Sequence, residues 1–290
     1  MKNGFAFVLG GALLIGQAAL AQSGNLTVPR TVEAGSAFTV RTSGAGKAVL
    51  YIVGLTQVLR RDIQLGETVP FAAGDLHDAG HYLAFIGGEP TSDNAFFDVT
   101  TSQEPAALSF LAKPSRLPVD LHDGISGVVY VFDIYQNLVL EPTSVLFQLS
   151  ANGGTAQNRT VITRNGVAWI KMNSASKVGA ARFVARAGNV IGTRVIQQVP
   201  GEPCALRMNA RPSGQQLTLE TEPVRDCSGN AAPDGTIVTF TETYSDGEAT
   251  VDVPLKRGIA RTELPAHDGA TISVATGVVM GNEIHWGSAR

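Results

Sequence analysis

Apolar residues return at every second position along most of this chain, in short runs, with almost no trace of the three-to-four spacing of an amphipathic helix. Examples are Ala37-Phe-Thr-Val-Arg41, Ala48-Val-Leu-Tyr-Ile-Val53, Val128-Val-Tyr-Val-Phe132 and Val145-Leu-Phe-Gln-Leu149. Ala168-Trp-Ile-Lys-Met172, Arg182-Phe-Val-Ala-Arg186, Thr236-Ile-Val-Thr-Phe240 and Thr271-Ile-Ser-Val-Ala275 continue the series. Clusters of Gly, Asn, Asp, Ser and Pro separate them. Short strands with turn signals at this spacing predict an all-β chain folded as β-sandwiches. The 32 Gly and 14 Pro are dispersed, as turns require, and form no low-complexity tract.

Two polar, proline-bearing stretches break the pattern, Thr100-Thr-Ser-Gln-Glu-Pro105 and Val199-Pro-Gly-Glu-Pro203. Proline lacks the N–H a central strand needs, so both read as linkers. They divide the chain into sandwiches at 23–101, 104–199 and 203–287, expected to form an extended multi-domain array. Ahead of them, Lys2 and the apolar run from Phe5 to Ala19 end in Ala19-Leu20-Ala21, a small-x-small site. Residues 1–21 therefore read as a signal peptide cleaved after Ala21. The run is short and Gly-rich for a bilayer span, and no later stretch predicts an integral membrane segment. The expected address is periplasmic, cell-surface or secreted.

One pattern occurs twice. Asp133-Ile-Tyr-Gln-Asn137 and Phe147 recur 93 residues on as Asp226-Cys-Ser-Gly-Asn230 and Phe240, and Asn165-Gly166-Val-Ala168 recurs 92 residues on as Arg257-Gly258-Ile-Ala260. Each residue has a structural reading. Asp133 and Asp226 end strands and cap the turn that follows. Asn137 and Gly229-Asn230 are expected at positive φ. Phe147 and Phe240 point into the core, and Gly166 and Gly258 turn hairpins. With Val131, Val139, Gly153-Gly154, Thr160, Lys177-Val-Gly179 and Phe183-Val-Ala185, the set at 104–199 resembles a bacterial immunoglobulin-like domain of the invasin/intimin type. The span 203–287 is similar through Pro233-Asp-Gly-Thr, Phe240 and Gly269-Ala-Thr-Ile-Ser-Val274. The resemblance implies tandem Ig-like sandwiches and an adhesion or spacer role. The first unit carries only a generic signal: Asp78-Ala-Gly80-His-Tyr82, opening a strand, resembles the tyrosine corner of Ig-like domains.

Two cysteines, Cys204 and Cys227, are expected to form a structural disulfide in an exported chain. No His stands close enough in sequence to favour zinc. It would close a loop of about two dozen residues, stabilising by roughly 3 kcal/mol on the chain-entropy view. The formal charge is −3 and the basic residues are scattered, which gives no case for nucleic acid. No metal-ligand spacing, Ser elbow or Asp-rich calcium loop is present, so no catalytic, cofactor or metal residues are assigned. His77, Asp78 and His81 are close in sequence, but they belong to a turn before a strand.

The expectation is a non-enzymatic, exported tandem of Ig-like domains without cofactors, meeting an unknown protein or glycan at the cell envelope. Two alternatives are kept. One is carbohydrate or protein binding through loops of the first unit. The other is an enzyme with an unrecognised site, drawn from turns such as His77, Asp78 and His81. Trp169, Tyr130, Tyr135, Phe96 and Phe97 are the aromatics that could make a contact platform, with core burial the default for Trp169.

Overall fold

The computed structural model describes residues 26–87, 94–151, 155–265 and 267–287. Residues 1–21, which the sequence reads as a signal peptide, and Gly153-Gly154 lie outside the described residues. The chain is all-β and divides into two compact units, 1–101 and 102–290.

In the first unit, Leu26–Thr27, Phe38–Thr42 and Thr68–Phe71 form a three-stranded sheet. The facing sheet runs in the order Thr31–Glu33, Asn94–Thr100, Gly80–Gly87, Lys47–Val53, Val58–Gln64. All pairs are antiparallel except the first, where Thr31–Glu33 lies parallel to Asn94–Thr100. The alternation in sequence becomes an alternation in space: Phe38, Val40 and Thr42 are buried while Thr39 and Arg41 are exposed. Val40, Leu50, Ile52, Leu76 and Ala84 make the dry centre.

The second unit contains two hydrophobic clusters. Around the first, Ala107–Lys113, Ile125–Phe132 and Val167–Met172 form the three-stranded sheet. The five-stranded sheet has the order Arg116–Pro118, Val190–Val199, Gly179–Ala187, Ser144–Ala151, Gln157–Ile162, again with a parallel edge strand. This repeats the strand order of residues 26–100, although the two stretches share no sequence pattern. The rings of Phe110, Phe147 and Phe183 fill its centre with centroids 5.1–6.1 Å apart. Gly127 permits this: a Cβ there would lie 2.7 Å from the Phe183 ring.

The second cluster lies between Met208–Ser213, Gln216–Thr221, Arg261–Pro265 on one side and Gly247–Pro254, Ile237–Tyr244, Ala270–Thr276 on the other. Here the final strand is split into Val279–Met280 and Ile284–Trp286, both paired to Ala270–Thr276. A two-stranded ladder, Pro203–Ala205 with Arg225–Asp226, sits at the chain's entry. Phe147 and Phe240 are fully buried, one in each cluster.

Candidate functional site

The duplicated residues build one device twice. Asn165 and Gly166 have φ of 50° and 76°, and Arg257 and Gly258 have 56° and 77°. Both positive values define a two-residue hairpin turn of the kind that matches strand twist. Arg164 and Val167 exchange backbone hydrogen bonds across the first turn, and Lys256 and Ile259 across the second. The carbonyl of Gly166 then accepts from Val131 N–H at 2.9 Å, and that of Gly258 from Val224 N–H at 2.8 Å. Val131 and Val224 each stand two residues before the repeated Asp. The hairpin is thus bonded to the strand that delivers the carboxylate, which gives the long Asp-to-Gly spacing a physical cause.

Asp133 is fully buried. Its Oδ1 accepts the N–H of Tyr135 and of Asn137, both at 2.9 Å, and its Oδ2 accepts the Asn137 side-chain amide at 3.0 Å. At Asp226 the Asn230 N–H donates to Oδ1 at 2.8 Å and its side-chain amide to Oδ2 at 3.0 Å. The positive φ of the first turn falls at Gln136 (68°), one residue before the expected Asn137, and that of the second at Gly229 (80°), within the expected pair. The asparagines are held instead by donating both backbone and side-chain N–H to the carboxylate.

A further bond was not anticipated. Asp133 Oδ2 also accepts the N–H of Ser102 at 3.1 Å, and Asp226 Oδ2 that of Gly201 at 2.9 Å. Ser102 and Gly201 belong to the two linker stretches. Each repeated Asp therefore fixes the strand leading into its own sandwich as well as its own turn. Burial by itself would raise the Asp226 carboxyl. The Asn230 amide and the N–H groups of Gly201, Asn230 and Ser228 outweigh that and hold it below the usual carboxylate range.

Asn230 also reaches backward. Its amide donates to Ser176 O at 3.0 Å, and its Oδ1 accepts Val178 N–H at 3.4 Å. Ser228 bonds the carboxylate of Asp120 beside it. The turn 226–230 thus ties its own cluster to the loop 174–178 of the cluster before it. Cys204 and Cys227 form a disulfide with Cα atoms 4.9 Å apart, joining the entering strand to the same turn. The joint is made of two carboxylates, one hydroxyl, one amide and one covalent bridge.

In the first unit, Tyr82 is buried and its hydroxyl donates to Asp78 O at 2.9 Å. Gly54 makes room for the ring, since a Cβ there would lie 2.4 Å from it. Burial first, and then the nearby Asp78 charge, push the Tyr82 hydroxyl up to about 12. Gly80 takes φ 154° at the start of the strand. His81 pairs with Asp98, while His77 meets Gln57 and Asp78, so the two histidines face different partners.

Two sheet faces carry exposed aromatics. On the five-stranded sheet of the first unit, Val58, Val53, Leu83 and Phe96 lie in one row across four strands, with Phe96 77% exposed. Tyr51 and Phe85 stack beside them at 5.2 Å. Phe97 is buried. Trp169 overturns its expected burial: it is 66% exposed. The hairpin at Gly166 sets the register of Val167–Met172, placing Ala168 and Met172 in the core and turning Trp169 outward.

Sequence reasoning also passed over Glu242, a fully buried carboxylate on Ile237–Tyr244. Its parity with Val238 and Phe240 was the available signal. Its Oε1 meets His267 Nδ1 at 3.1 Å, and the His267 ring stacks on Tyr244 at 4.1 Å. Among the described residues no group of three His, Cys, Asp or Glu is arranged to hold a metal, and no helix is long and apolar enough to cross a membrane.

No family model and no curated protein matches the chain. Solved structures do. InvD of Yersinia pseudotuberculosis aligns over 92% of this chain and 98% of its own, with a TM-score of 0.52 and 12% identity. The chain shares the fold of InvD. Invasin, described as a bacterial integrin-binding protein, aligns over 89% of this chain and 57% of its own at 12% identity, with a TM-score of 0.46. The FN1-FN3 domains of chicken CNTN1 align over 92% of this chain and 98% of their own at 12% identity, with a TM-score of 0.39. The chain is a tandem of Ig-like β-sandwiches.

Proposed function

We propose that this chain is an exported, non-enzymatic structural and adhesion module of the periplasm or cell surface. Its leader is residues 1–21, and its sandwiches span 23–101, 104–199 and 203–287. The partner is a protein or glycan of the cell envelope. The observation that carries this reading is the joint at Asp226. A spacer needs neighbouring domains held at a fixed angle, and interfaces between domains are by default mobile unless specifically fastened. Here the fastening uses groups already required by the fold: Asp226 takes Gly201 N–H, Asn230 takes Ser176 and Val178, and a disulfide closes the same turn. A disulfide also fits an oxidising compartment.

Two measurements test the two halves of the proposal. Fractionation and N-terminal sequencing of the native protein should find it outside the cytoplasm and beginning at Gln22. A cytoplasmic chain that retains Met1 overturns the export reading. Limited trypsin digestion should cut slowly after Lys177, in the loop that Asn230 holds. Asn230→Ala should speed that cut several-fold while leaving the fold intact, and an unchanged rate overturns the joint as a fastening.

A further inference from the structure

The outward face of the sheet Ala107–Lys113, Ile125–Phe132, Val167–Met172 is ordered in rows by strand register. One row reads Leu111, Val128, Trp169. The row beside it on one side is Lys113, Ser126, Lys171, and on the other Ser109, Tyr130, Val167. Trp169 is 66% exposed and Leu111 51%. None of the nine positions is acidic, in a chain whose formal charge is −3. At the edge of the same face, Trp169 and Arg164 line a groove of about 780 Å³ with Pro142 and Ile162.

Two lysines in the neighbouring row and one arginine in the edge groove therefore share this face with the exposed indole. None of Lys113, Lys171 and Arg164 takes part in an ion pair among the described residues. Strand spacing of about 4.8 Å sets the two lysines about 10 Å apart across Ser126. An indole lying on a sheet offers a flat apolar surface with a negative face, which suits the slightly positive C–H face of a pyranose ring. Lysines act as point charges for anionic groups at the sugar's edge. A nucleic-acid ligand would need more cations than these to neutralise its phosphates.

We propose that this face binds an acidic polysaccharide. Trp169 stacks on a sugar ring, Lys113 and Lys171 meet carboxylates or sulfates along the chain, and Arg164 meets the anionic group on the other flank. The inference supplies a ligand class that the structural reading leaves open, and it holds or fails independently of the joint.

The sequence has two tryptophans, Trp169 and Trp286, so intrinsic fluorescence reports the event. The full chain with its disulfide intact is titrated with polygalacturonate, dextran sulfate, neutral dextran and polyglutamate. Polygalacturonate, dextran sulfate or both should shift the emission, more weakly as salt is raised, and which of them acts identifies carboxylate or sulfate as the anion. Trp169→Ala should weaken binding about tenfold as measured by affinity electrophoresis, the scale of a lost stacking surface. Lys113→Gln with Lys171→Gln should weaken it similarly. All three side chains are exposed, so the variants should fold. Equal binding of neutral dextran, or undiminished binding by Trp169→Ala, overturns the proposal. Polyglutamate binding as tightly as the sugars reassigns the face to an acidic protein segment and overturns it too, as does no binding by any polymer.

Discussion

At the scale of single residues, the chain's polar chemistry is spent on holding backbone in place. Tyr82 is the clearest case. Its phenol is buried, donates to Asp78 O, and is pushed up to about 12. A raised value means that the folded state favours the neutral form. The stability this contributes is intact below the ordinary phenol value of about 10. It is lost as pH rises from there through about 12. Ultraviolet titration should therefore find a late phenol step, that of Tyr82, coinciding with loss of the first unit's fold. Tyr82→Phe should remove the late step and cost about 1 kcal/mol, the typical net value of one hydrogen bond.

At the scale of elements, the joint turn has a definite pH signature. The Asp226 carboxyl is held below its usual range, so the ionised form is the one the fold requires. Its contribution is complete above the ordinary carboxylate value of about 3.9. It disappears as pH falls through the depressed folded value. Asp226→Asn sets an amide against the donors of Gly201 and Asn230, and leaving them unmet costs about 1–3 kcal/mol. Trp286 packs against the cluster of 206–274 and reports its unfolding. Denaturant curves by Trp286 fluorescence should show the variant's deficit in full near neutrality, narrowing at low pH as the native chain loses the same interaction.

These elements also show where sequence suffices. Strands follow from alternation, and the hairpins at Gly166 and Gly258 follow from their residue types, because each depends on neighbours a few positions away. The linker bonds to Asp133 and Asp226 were hidden because their donors lie 31 and 25 residues off. Trp169 was misjudged because a two-residue period defines two faces without saying which is inside. Only the turn and the partner strands decide that. The edge strands Thr31–Glu33 and Arg116–Pro118 are three residues each, too short for a pattern, and their parallel partners come 67 and 81 residues later.

At the scale of the whole molecule, the disulfide determines how the chain bears load. In the proposed adhesion role the chain is pulled along its backbone. Without the bridge, tension entering at Pro203–Ala205 would fall on a ladder of two paired residues with Arg225–Asp226. With it, tension passes from Cys204 straight to Cys227 through a covalent bond. The segment between them, which contains two core-lining strands, is removed from the force path. Single-molecule stretching should see this as a missing length. With a sequence separation of 23, the oxidised chain should release on the order of 80 Å less when its last sandwich gives way than the reduced chain does. Equal lengths in the two states would show that tension takes another route. The bridge thus acts as a mechanical bypass, keeping the opening strands of the last sandwich slack while the rest of that sandwich carries the pull.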